Sequence, residues 1–134
     1  MTGFSLKIVT PDGLKFDGTA EEVIVRSTTG DLGILAGHMN CVAPLGMGQA
    51  TFIIDGQKRY AACIGGMLSV LNGAVILVPT TFEWADEIDA QRAERAVQKA
   101  QSILENKNAD RTDLKVAEAK LKRALVRKSV SQNK

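Results

Sequence analysis

Length, composition and charge limit what this chain can be. Its 134 residues are enough for one domain with its own core, or for a small domain with an appendage, and they exclude a multidomain enzyme. The hydrophobic fraction of 45% and the charged fraction of 24% are ordinary for a globular protein. A net charge of +2 and an aromatic fraction of 4% argue against nucleic acid as a partner, because both charge and base-stacking surface are scarce.

The apolar segments indicate neither a membrane span nor a leader. The longest apolar run, residues 61–79, is interrupted by Gly65-Gly66 and Asn72-Gly73, so it falls short of the roughly 20 residues of a spanning helix. The N-terminal sequence MTGFSLKIVTPDG lacks the basic and apolar regions of a signal peptide, which favours a cytosol-facing location without membrane insertion. Cys41 and Cys63 are interpreted as small buried hydrophobic residues rather than as a disulfide.

The composition of the chain changes abruptly near Trp84. All twelve glycines, all three prolines and every aromatic residue lie at or before that position. Up to Glu83 the chain has five basic and seven acidic residues, a charge of −2, whereas the remainder has twelve and eight, a charge of +4. We therefore expect a glycine-punctuated sheet domain at residues 1–84 and a basic helical domain at residues 85–134.

Short apolar runs in the first part predict β-strands. The runs are rich in β-branched residues and have the sequences FSLKIVT, EEVIVRS, ATFII, RYAACIGGMLSV and AVILV. Dipeptides that favour the positive φ of tight hairpins are Asp12-Gly13, Asp55-Gly56 and Asn72-Gly73. The predicted pairings are Ile53-Ile54 with Arg59-Tyr60, and Val70-Leu71 with Ala74-Val75. The first part is thus predicted to be an all-antiparallel β-sandwich or flattened barrel.

The second part contains no glycine or proline and predicts two helices, which makes the fold class α+β. Asp86 is a suitable N-cap, with Asp89 in the first turn. The apolar stripes are Ala93, Ala96, Val97, Ala100 and Leu104 in one helix, and Leu114, Ala117, Leu121 and Leu125 in the other. The short polar segment ENKNADRTD between them predicts an antiparallel two-helix hairpin. Because alanine contacts bury little area, this hairpin should be closed by only a small margin and be able to open.

The sequence offers no arrangement of residues for catalysis. Its single histidine, His38, lies in GILAGHMN without a serine or cysteine in a hydrolase pattern, and one histidine with two separated cysteines does not supply a zinc site. The segment Gly46-Met47-Gly48 is not followed by the lysine of a phosphate-binding P-loop. We therefore expect no catalytic residues, no metal site and no nucleotide hydrolysis by this chain.

Basic residues of the two helices are the remaining candidates for a site. Antiparallel pairing about the polar segment would place Arg92 level with Ala124, so that Arg123 and Arg127 approach Asp89 and Arg92. Arginines gathered in a closed hairpin repel each other unless an anion lies between them, and forked guanidinium groups suit phosphate oxygens. The alternative is a solvated charged face, because an acidic residue near a helix N-terminus and an i, i+3 ion pair are common without any function.

Three stretches of the sequence resemble the epsilon subunit of F-type ATP synthases. They are TTGDLGILAGHMNCVAPLGMG, GGMLSVLNGAVILVPTTFEWADEID and AEAKLKRALVRKSV, and the resemblance covers essentially the whole chain. It implies a non-catalytic rotor subunit whose β-sandwich binds the gamma subunit and lies against the polar loops of the c ring of the proton-translocating enzyme. It also implies a mobile hairpin that inhibits ATP hydrolysis when it extends along gamma towards the alpha and beta subunits, and a peripheral location on the cytoplasmic face of the membrane.

The segment IDAQRA, residues 88–93, is similar to the [IL]DxxRA motif of bacterial members of that family that bind ATP between the two helices. The resemblance implies ATP as a regulatory ligand, with the need for Mg²⁺ left open. The implied nucleotide-binding residues are Glu83, Ile88, Asp89, Arg92, Ala93, Lys99, Arg123 and Arg127. Lys99 stands where some ATP-binding relatives have arginine, and because lysine lacks the guanidinium fork, weaker affinity is expected.

The same resemblance implies a contact surface on the sandwich. The loop Thr29–Gly33 corresponds to the family's contact with the c ring, so Asp31 and His38 are the predicted partner-contact residues. Two other functions stay open at this stage. One is a structural adaptor of the same family whose hairpin binds no nucleotide, and the other is a small stand-alone enzyme on a β-sandwich scaffold.

Overall fold

The computed structural model describes residues 2–133, which divide between Trp84 and Ala85 into two compact units. The strands of the first unit are β1 (Phe4–Thr10), β2 (Gly13–Ala20), β3 (Glu22–Ser27), β4 (Gly30–Leu35), β5 (Cys41–Pro44), β6 (Met47–Ile54), β7 (Gln57–Leu71) and β8 (Ala74–Trp84). The second unit has a short 3-10 turn (Ala85–Glu87) and the helices α1 (Ala90–Leu104) and α2 (Arg111–Ser131). The division falls where the composition of the chain changes.

The strands form one sheet that folds on itself into a β-sandwich. The order is β2-β1-β8-β7-β6-β3-β4, and β5 pairs with β7 beside this path. β7 is 15 residues long, and its first part pairs with β6 while its last part pairs with β5, so it runs through both layers. β2 also packs against β6, although the two are far apart in the strand order, and this contact closes the sheet around a single core. The predicted α+β fold with an N-terminal sandwich is confirmed.

Two details of strand pairing differ from the prediction. β1 and β8 pair in parallel, with Leu6 opposite Val75, so the sandwich is not all-antiparallel. These strands are joined through the rest of the sheet rather than by a hairpin, and no tight turn forces them to run in opposite directions. The Asp55-Gly56 turn pairs Ile54 with Gln57 and Ile53 with Lys58, two residues short of the predicted register, because a two-residue turn places its flanking residues directly opposite each other.

The hairpin at Asn72-Gly73 forms as predicted. Both turn residues have positive φ, 50° and 81°, and the turn pairs Leu71 with Ala74 and Val70 with Val75. Asp55 and Gly56 adopt the same conformation, with φ of 53° and 75°. These are the mirror-image turns whose twist matches that of paired strands.

Strand alternation builds the core of the first unit. β1 buries Leu6 and Ile8, which are 0% exposed, and turns the intervening residues outward. At one end of the core Phe52, Phe82 and Trp84 pack edge to face, with ring centroids 5.0 to 6.0 Å apart. The guanidinium of Arg59 lies 3.8 Å above the Trp84 ring, which adds a cation–π contact to the end of β8.

The two cysteines are free thiols in different environments. Cys63 is buried in β7 as predicted, and this burial raises the pKa of its thiol to about 12. Cys63 therefore stays protonated and unreactive in the folded protein. Cys41 in β5 is only half-buried, so the prediction of a buried residue is wrong for this position.

The helices of the second unit begin at different residues than predicted. Asp89, not Asp86, is the N-cap of α1: its carboxylate accepts a hydrogen bond of 3.0 Å from the backbone N–H of Arg92. Asp86 lies in the preceding 3-10 turn, which packs against α2. Asp110 caps α2 in the same way as Asp89 caps α1. Within residues 2–133, neither helix is long and apolar enough to cross a membrane.

Alanine residues dominate the contact between α1 and α2, as expected. The buried residues are Ala93, Val97 and Ala100 of α1, and Ala117, Ala124, Val130 and Ser131 of α2. The predicted stripe is wrong at two positions: Ala96 is exposed, and Leu125 is 44% exposed because Ala124 takes the inward position one residue earlier. This arrangement lets the two backbones approach closely and leaves the longer side chains at the margins of the contact.

A glycine pair bends β7 where it passes between the two layers. Gly65 and Gly66 have φ of 68° and 99°, and the pairing with β8 is interrupted there without a change of register, between Ile64 opposite Thr81 and Gly66 opposite Pro79. A Cβ on Gly66 would lie 2.1 Å from the carbonyl oxygen of Val78. The bend therefore needs glycine both for its backbone conformation and for the close approach of β8.

Gly66→Ala should destabilise the sandwich by at least about 3 kcal/mol, because strain from positive φ and a backbone clash act together. Gly73→Ala is the matched control, since its φ is also positive but nothing lies within 4 Å of the added Cβ. It should cost only about 1–2 kcal/mol. Urea unfolding followed by the fluorescence of the single tryptophan measures both. Equal losses in the two variants would contradict the close approach of β8 to Gly66.

Candidate functional site

The two helices of the second unit enclose a basic groove with a volume of about 230 Å³. Its cationic residues are Lys99 from α1 and Lys120, Arg123 and Arg127 from α2. Its apolar floor consists of Ala96, Ala100, Ile103 and Ala124. The small alanine side chains form the floor of the groove, and the long cationic side chains stand at its sides.

Helical periodicity brings these side chains to one groove. Lys120, Arg123 and Arg127 recur at i, i+3 and i+7, which places them on one face of α2. Lys99 lies between Ala96 and Ile103 on the facing side of α1. Three of the predicted nucleotide-binding residues, Lys99, Arg123 and Arg127, are thus brought together in one place.

The pairing of the two helices is shifted from the predicted register. Lys128 Nζ lies 2.6 Å from Glu94 Oε2, whereas the predicted pairing would have placed Lys122 opposite Glu94. The groove is consequently lined by the middle of α1, and its lining includes neither Asp89 nor Arg92. The reason is the connecting loop: the first turns of α2 lie beside this loop rather than beside α1.

A second groove shows this arrangement of the loop. Its volume is about 380 Å³, and its lining joins Asn106 and Asn108 of the loop to Asp113 and Val116 of α2. It shares two lining residues, Ile103 and Lys120, with the basic groove. The two grooves are therefore adjacent along the hairpin.

The other predicted nucleotide-binding residues occupy different positions. Ile88 and Ala93 are buried at the start of α1, and the carboxylate of Asp89 is engaged as the N-cap. Arg92 is exposed and lies seven residues before Lys99, about 10 Å along the same face of α1. Glu83 is half-buried in β8, in the other unit.

Lys120 is a groove residue that the sequence interpretation missed. It precedes Arg123 by three residues and so continues the same face of α2. Periodicity could have identified it. The predicted register, however, grouped Arg123 and Arg127 with Asp89 and Arg92 near the start of α1, and that group did not include Lys120. The tertiary pairing of α1 with α2 is what adds it to the groove.

Most of the charge in the basic groove is uncompensated. Within residues 2–133, no carboxylate forms an ion pair with Lys99, Lys120 or Arg123. At the margin of the contact, the hydrogen bond from Lys128 lowers the pKa of Glu94, and the charge of Lys128 and a hydrogen bond from Gln98 act in the same direction. The geometry therefore suits an anion that lies between the helices.

The two predicted partner-contact residues lie in the first unit. Asp31 is in β4 at the end of the β3–β4 hairpin, where its carboxylate pairs with Arg26 at 2.6 Å. His38 is half-buried, and its Nδ1–H donates a 2.8 Å hydrogen bond to the carbonyl oxygen of Met39.

Within the described part of the chain, no group of three or more metal-ligating side chains could hold a metal ion.

Family comparisons match both units of the chain. Residues 3–85 match the ATP synthase delta/epsilon chain, beta-sandwich domain, and residues 86–132 match the ATP synthase delta/epsilon chain, long alpha-helix domain. A curated relative, the ATP synthase epsilon chain of Bacillus velezensis, is 43% identical over 133 residues, which cover 99% of this chain and all of that one. The ATP synthase epsilon chain of Alkaliphilus oremlandii is 46% identical over 101 residues, 75% of each chain.

Solved structures share the fold. A chain of the Euglena gracilis mitochondrial ATP synthase superimposes with a TM-score of 0.79 at 22% identity, over 91% of this chain and 77% of that one. A chain of the Tetrahymena thermophila mitochondrial ATP synthase gives a TM-score of 0.64 at 12% identity, over 95% of both chains. At these identities the likeness concerns the fold alone.

A β-sandwich followed by a helical hairpin, each matched by its own family domain, defines the class of this protein. The chain belongs to the ATP synthase delta/epsilon chain family. The curated relatives are epsilon chains, so the resemblance to the epsilon subunit is confirmed, and the chain is a non-catalytic subunit of ATP synthase.

Lys128→Gln should raise the pKa of Glu94 towards the ordinary value of 4.5, because it removes both the hydrogen bond and the positive charge that lower it. Since this pKa is lowered in the folded state, the pair stabilises the hairpin above pH 4.5, and its contribution is lost as pH falls through the folded-state pKa. Carbon NMR of the Glu94 carboxyl group measures the titration. Lys122→Gln, which removes a charge paired with Glu118, should leave it unchanged. An unaltered Glu94 titration in Lys128→Gln would show that the ion pair does not form in solution.

Proposed function

We propose that this chain is a central-stalk rotor subunit of the proton-translocating ATP synthase, and that its helical hairpin senses ATP and controls ATP hydrolysis. The observation that carries the sensing role is the basic groove, in which four cationic side chains surround an apolar floor between two weakly packed helices. The coupling role has separate support in the surface of the sandwich. The location would be peripheral, at the cytoplasmic face of the membrane.

The sandwich exposes a contiguous apolar surface suited to a protein partner. The outer apolar patch, as we call it, consists of Val42, Pro44, Met67, Ile76 and Val78, and their exposed fractions range from 40% to 68% for the four large hydrophobic residues. The register places Pro44, Met67 and Val78 in one row across three strands, and Val42 and Ile76 flank Ser69 in the next row. Exposed apolar surface of this kind marks interaction sites, and methionine is enriched in interfaces.

We assign the outer apolar patch to the gamma subunit, which the family resemblance implies as the partner of the sandwich. The two structural neighbours come from assemblies that include a c ring, and one of them comes from a central stalk. The β3–β4 hairpin, with Asp31, and His38 would then contact the polar loops of the c ring. Coupling results when one rigid sandwich holds both partners.

The basic groove suits the phosphates of ATP. Its volume of about 230 Å³ is below the range of roughly 300–1,000 Å³ that encloses a whole drug-sized ligand, so it would hold the phosphate chain rather than the complete nucleotide. Arg123 and Arg127 would bind phosphate oxygens through their forked guanidinium groups, and Lys99 and Lys120 through single charges. The nucleoside would extend along α1 towards Arg92 and Asp89, with Ile88 and Ala93 beside it; Glu83 is assigned by resemblance alone.

Binding in this groove would couple ATP to the state of the hairpin. Three of the groove cations have no acidic partner within residues 2–133, and their mutual repulsion opposes closure of the alanine contact. ATP adds negative charge between the helices and so stabilises the closed hairpin by mass action. At low ATP the hairpin would open, extend along gamma towards alpha and beta, and inhibit ATP hydrolysis.

Titration calorimetry of ATP into the full chain, with and without Mg²⁺, tests the groove. We expect saturable one-to-one binding that weakens at least about tenfold in Arg123→Gln, because a forked charge-assisted contact is lost. Lys122→Gln is the matched control, since it removes a positive charge from the same helix outside the groove and should change affinity less than about twofold. Heat that GTP reproduces and salt abolishes would favour the alternative of a structural adaptor without a nucleotide site.

A second pair of variants tests the direction of the nucleoside. Asp89→Asn keeps a good N-cap and removes only the charge, whereas Asp113→Asn makes the same change in the second groove. We expect weaker ATP binding in Asp89→Asn and unchanged binding in Asp113→Asn. The reverse result would place the nucleoside in the second groove.

Val78→Lys and Met67→Lys should weaken binding to the gamma subunit at least about tenfold, because each places a charge in an apolar interface. Both positions are exposed in the free chain, so the melting temperature should change little. Leu14→Lys is the control, since Leu14 is 58% exposed in β2, outside the patch. The measurement is the affinity of each full-length variant for gamma subunit immobilised on a surface. Equal losses in all three variants would contradict a specific role for the outer apolar patch.

A further inference from the structure

The end of the β3–β4 hairpin carries an ion pair between directly opposed residues. Arg26 in β3 and Asp31 in β4 are cross-strand partners, and Arg26 Nε lies 2.6 Å from Asp31 Oδ1. Both side chains are more than half exposed, at 53% and 59%. A solvated pair of this kind contributes little to the free energy of unfolding. Any role of the pair therefore depends on the polar groups that it exposes at the surface.

The backbone beneath Arg26 fixes the direction of its side chain. A Cβ on Gly48 would lie 2.7 Å from Arg26 Cβ and 3.1 Å from its Cγ, so the stem of Arg26 lies directly on the backbone of β6. The N–H of Gly46 donates a 2.9 Å hydrogen bond to the carbonyl oxygen of Arg26. The Gly46-Met47-Gly48 segment, which is not a P-loop, thus has a structural explanation: its second glycine makes room for the arginine.

The turn that precedes Asp31 is held by its own hydrogen bonds. Ser27 Oγ donates to the carbonyl oxygen of Gly30 at 2.6 Å, and the N–H of Thr29 donates back to Ser27 Oγ at 3.3 Å. The N–H of Thr28 donates to the carbonyl oxygen of Pro44 at 3.2 Å. The backbone on both sides of the ion pair is therefore fixed before any partner binds.

The ion pair leaves hydrogen-bonding capacity on both of its members. Within residues 2–133, the guanidinium of Arg26 donates one hydrogen bond, from Nε to Asp31 Oδ1, and Oδ2 of Asp31 has no partner. The pair thus presents two NH₂ groups and a carboxylate oxygen side by side. A polar loop with its own donors and acceptors is the kind of partner that this arrangement fits.

We propose that Arg26 is a positioning residue that holds Asp31 for its contact with the c ring, and that Gly48 is the support that Arg26 needs. The proposal rests on the proposed function, in which Asp31 meets the polar loops of that ring. Arg26 reduces the rotamer freedom that Asp31 would lose on binding. It also neutralises the carboxylate, so that less unpaired charge is desolvated at the interface.

The test is a double-mutant cycle on binding of the full-length chain to the purified assembly of gamma with the c ring. The single variants are Arg26→Gln, Asp31→Asn and Gly48→Ala, and the first and last are also combined with Asp31→Asn. Lys58→Gln, at the exposed end of the β6–β7 hairpin, is the matched control for loss of a positive charge. Melting temperatures of all variants identify any loss of folding, and Arg26→Gln keeps the test valid if Gly48→Ala does not fold.

We expect Arg26→Gln and Gly48→Ala each to weaken binding about fivefold when Asp31 is present, and to have no further effect when Asp31 is already Asn. Lys58→Gln should bind like the unmodified chain. Equal weakening by Arg26→Gln in both backgrounds would overturn the proposal, because a merely structural role is independent of Asp31. Weakening by Asp31→Asn without any by Arg26→Gln would overturn the positioning role and leave the ring contact intact. Unchanged binding in Asp31→Asn would refute the ring contact itself, and the positioning role with it.

Discussion

The hairpin depends on packing through small side chains, among them the buried Ala100 of α1 and Ala124 of α2. Alanines let the two backbones approach, and long side chains are forced to the margins, where Lys99, Arg123 and Arg127 form the sides of a groove. The same contacts bury little apolar area, so they hold the helices together weakly. Close approach and weak association thus have one cause, and both suit the proposed role of the hairpin, which is to close around a ligand and to open without it.

Charge and packing oppose each other within this hairpin. Alanine burial and the pair of Glu94 with Lys128 favour the closed arrangement, whereas the cations of the groove repel one another. An element balanced in this way responds to a ligand that supplies the missing negative charge, because a small differential free energy is then enough to shift the population. The marginal packing and the uncompensated charges of Lys99, Lys120 and Arg123 are two parts of the same proposed mechanism.

The sandwich has the opposite character. Its core is closed by β7, which runs through both layers and bends at Gly66, where the backbone of β8 comes too close for any side chain. Most strands bury one face in this core, and among the outward residues Met67 and Val78 are exposed on the apolar patch and Asp31 is exposed at the hairpin end. A rigid body with two separate exposed surfaces suits the proposed coupling of two partners, and a marginally closed hairpin does not.

Local patterns in the sequence determined much of this protein. The Asn72-Gly73 turn, the alternation of Leu6 and Ile8 and the alanine stripe of α1 follow from φ preferences and from periods of 2 and 3.6 residues, which need no knowledge of distant contacts. What needed the tertiary structure was the pairing of distant elements. The parallel β1–β8 pair, the shift that brings Lys128 to Glu94 and adds Lys120 to the groove, and the support of Arg26 by Gly48 all join segments that local preferences do not relate. Sequence periodicity fixes which face of an element is buried, but only packing against the partner element decides the register between them.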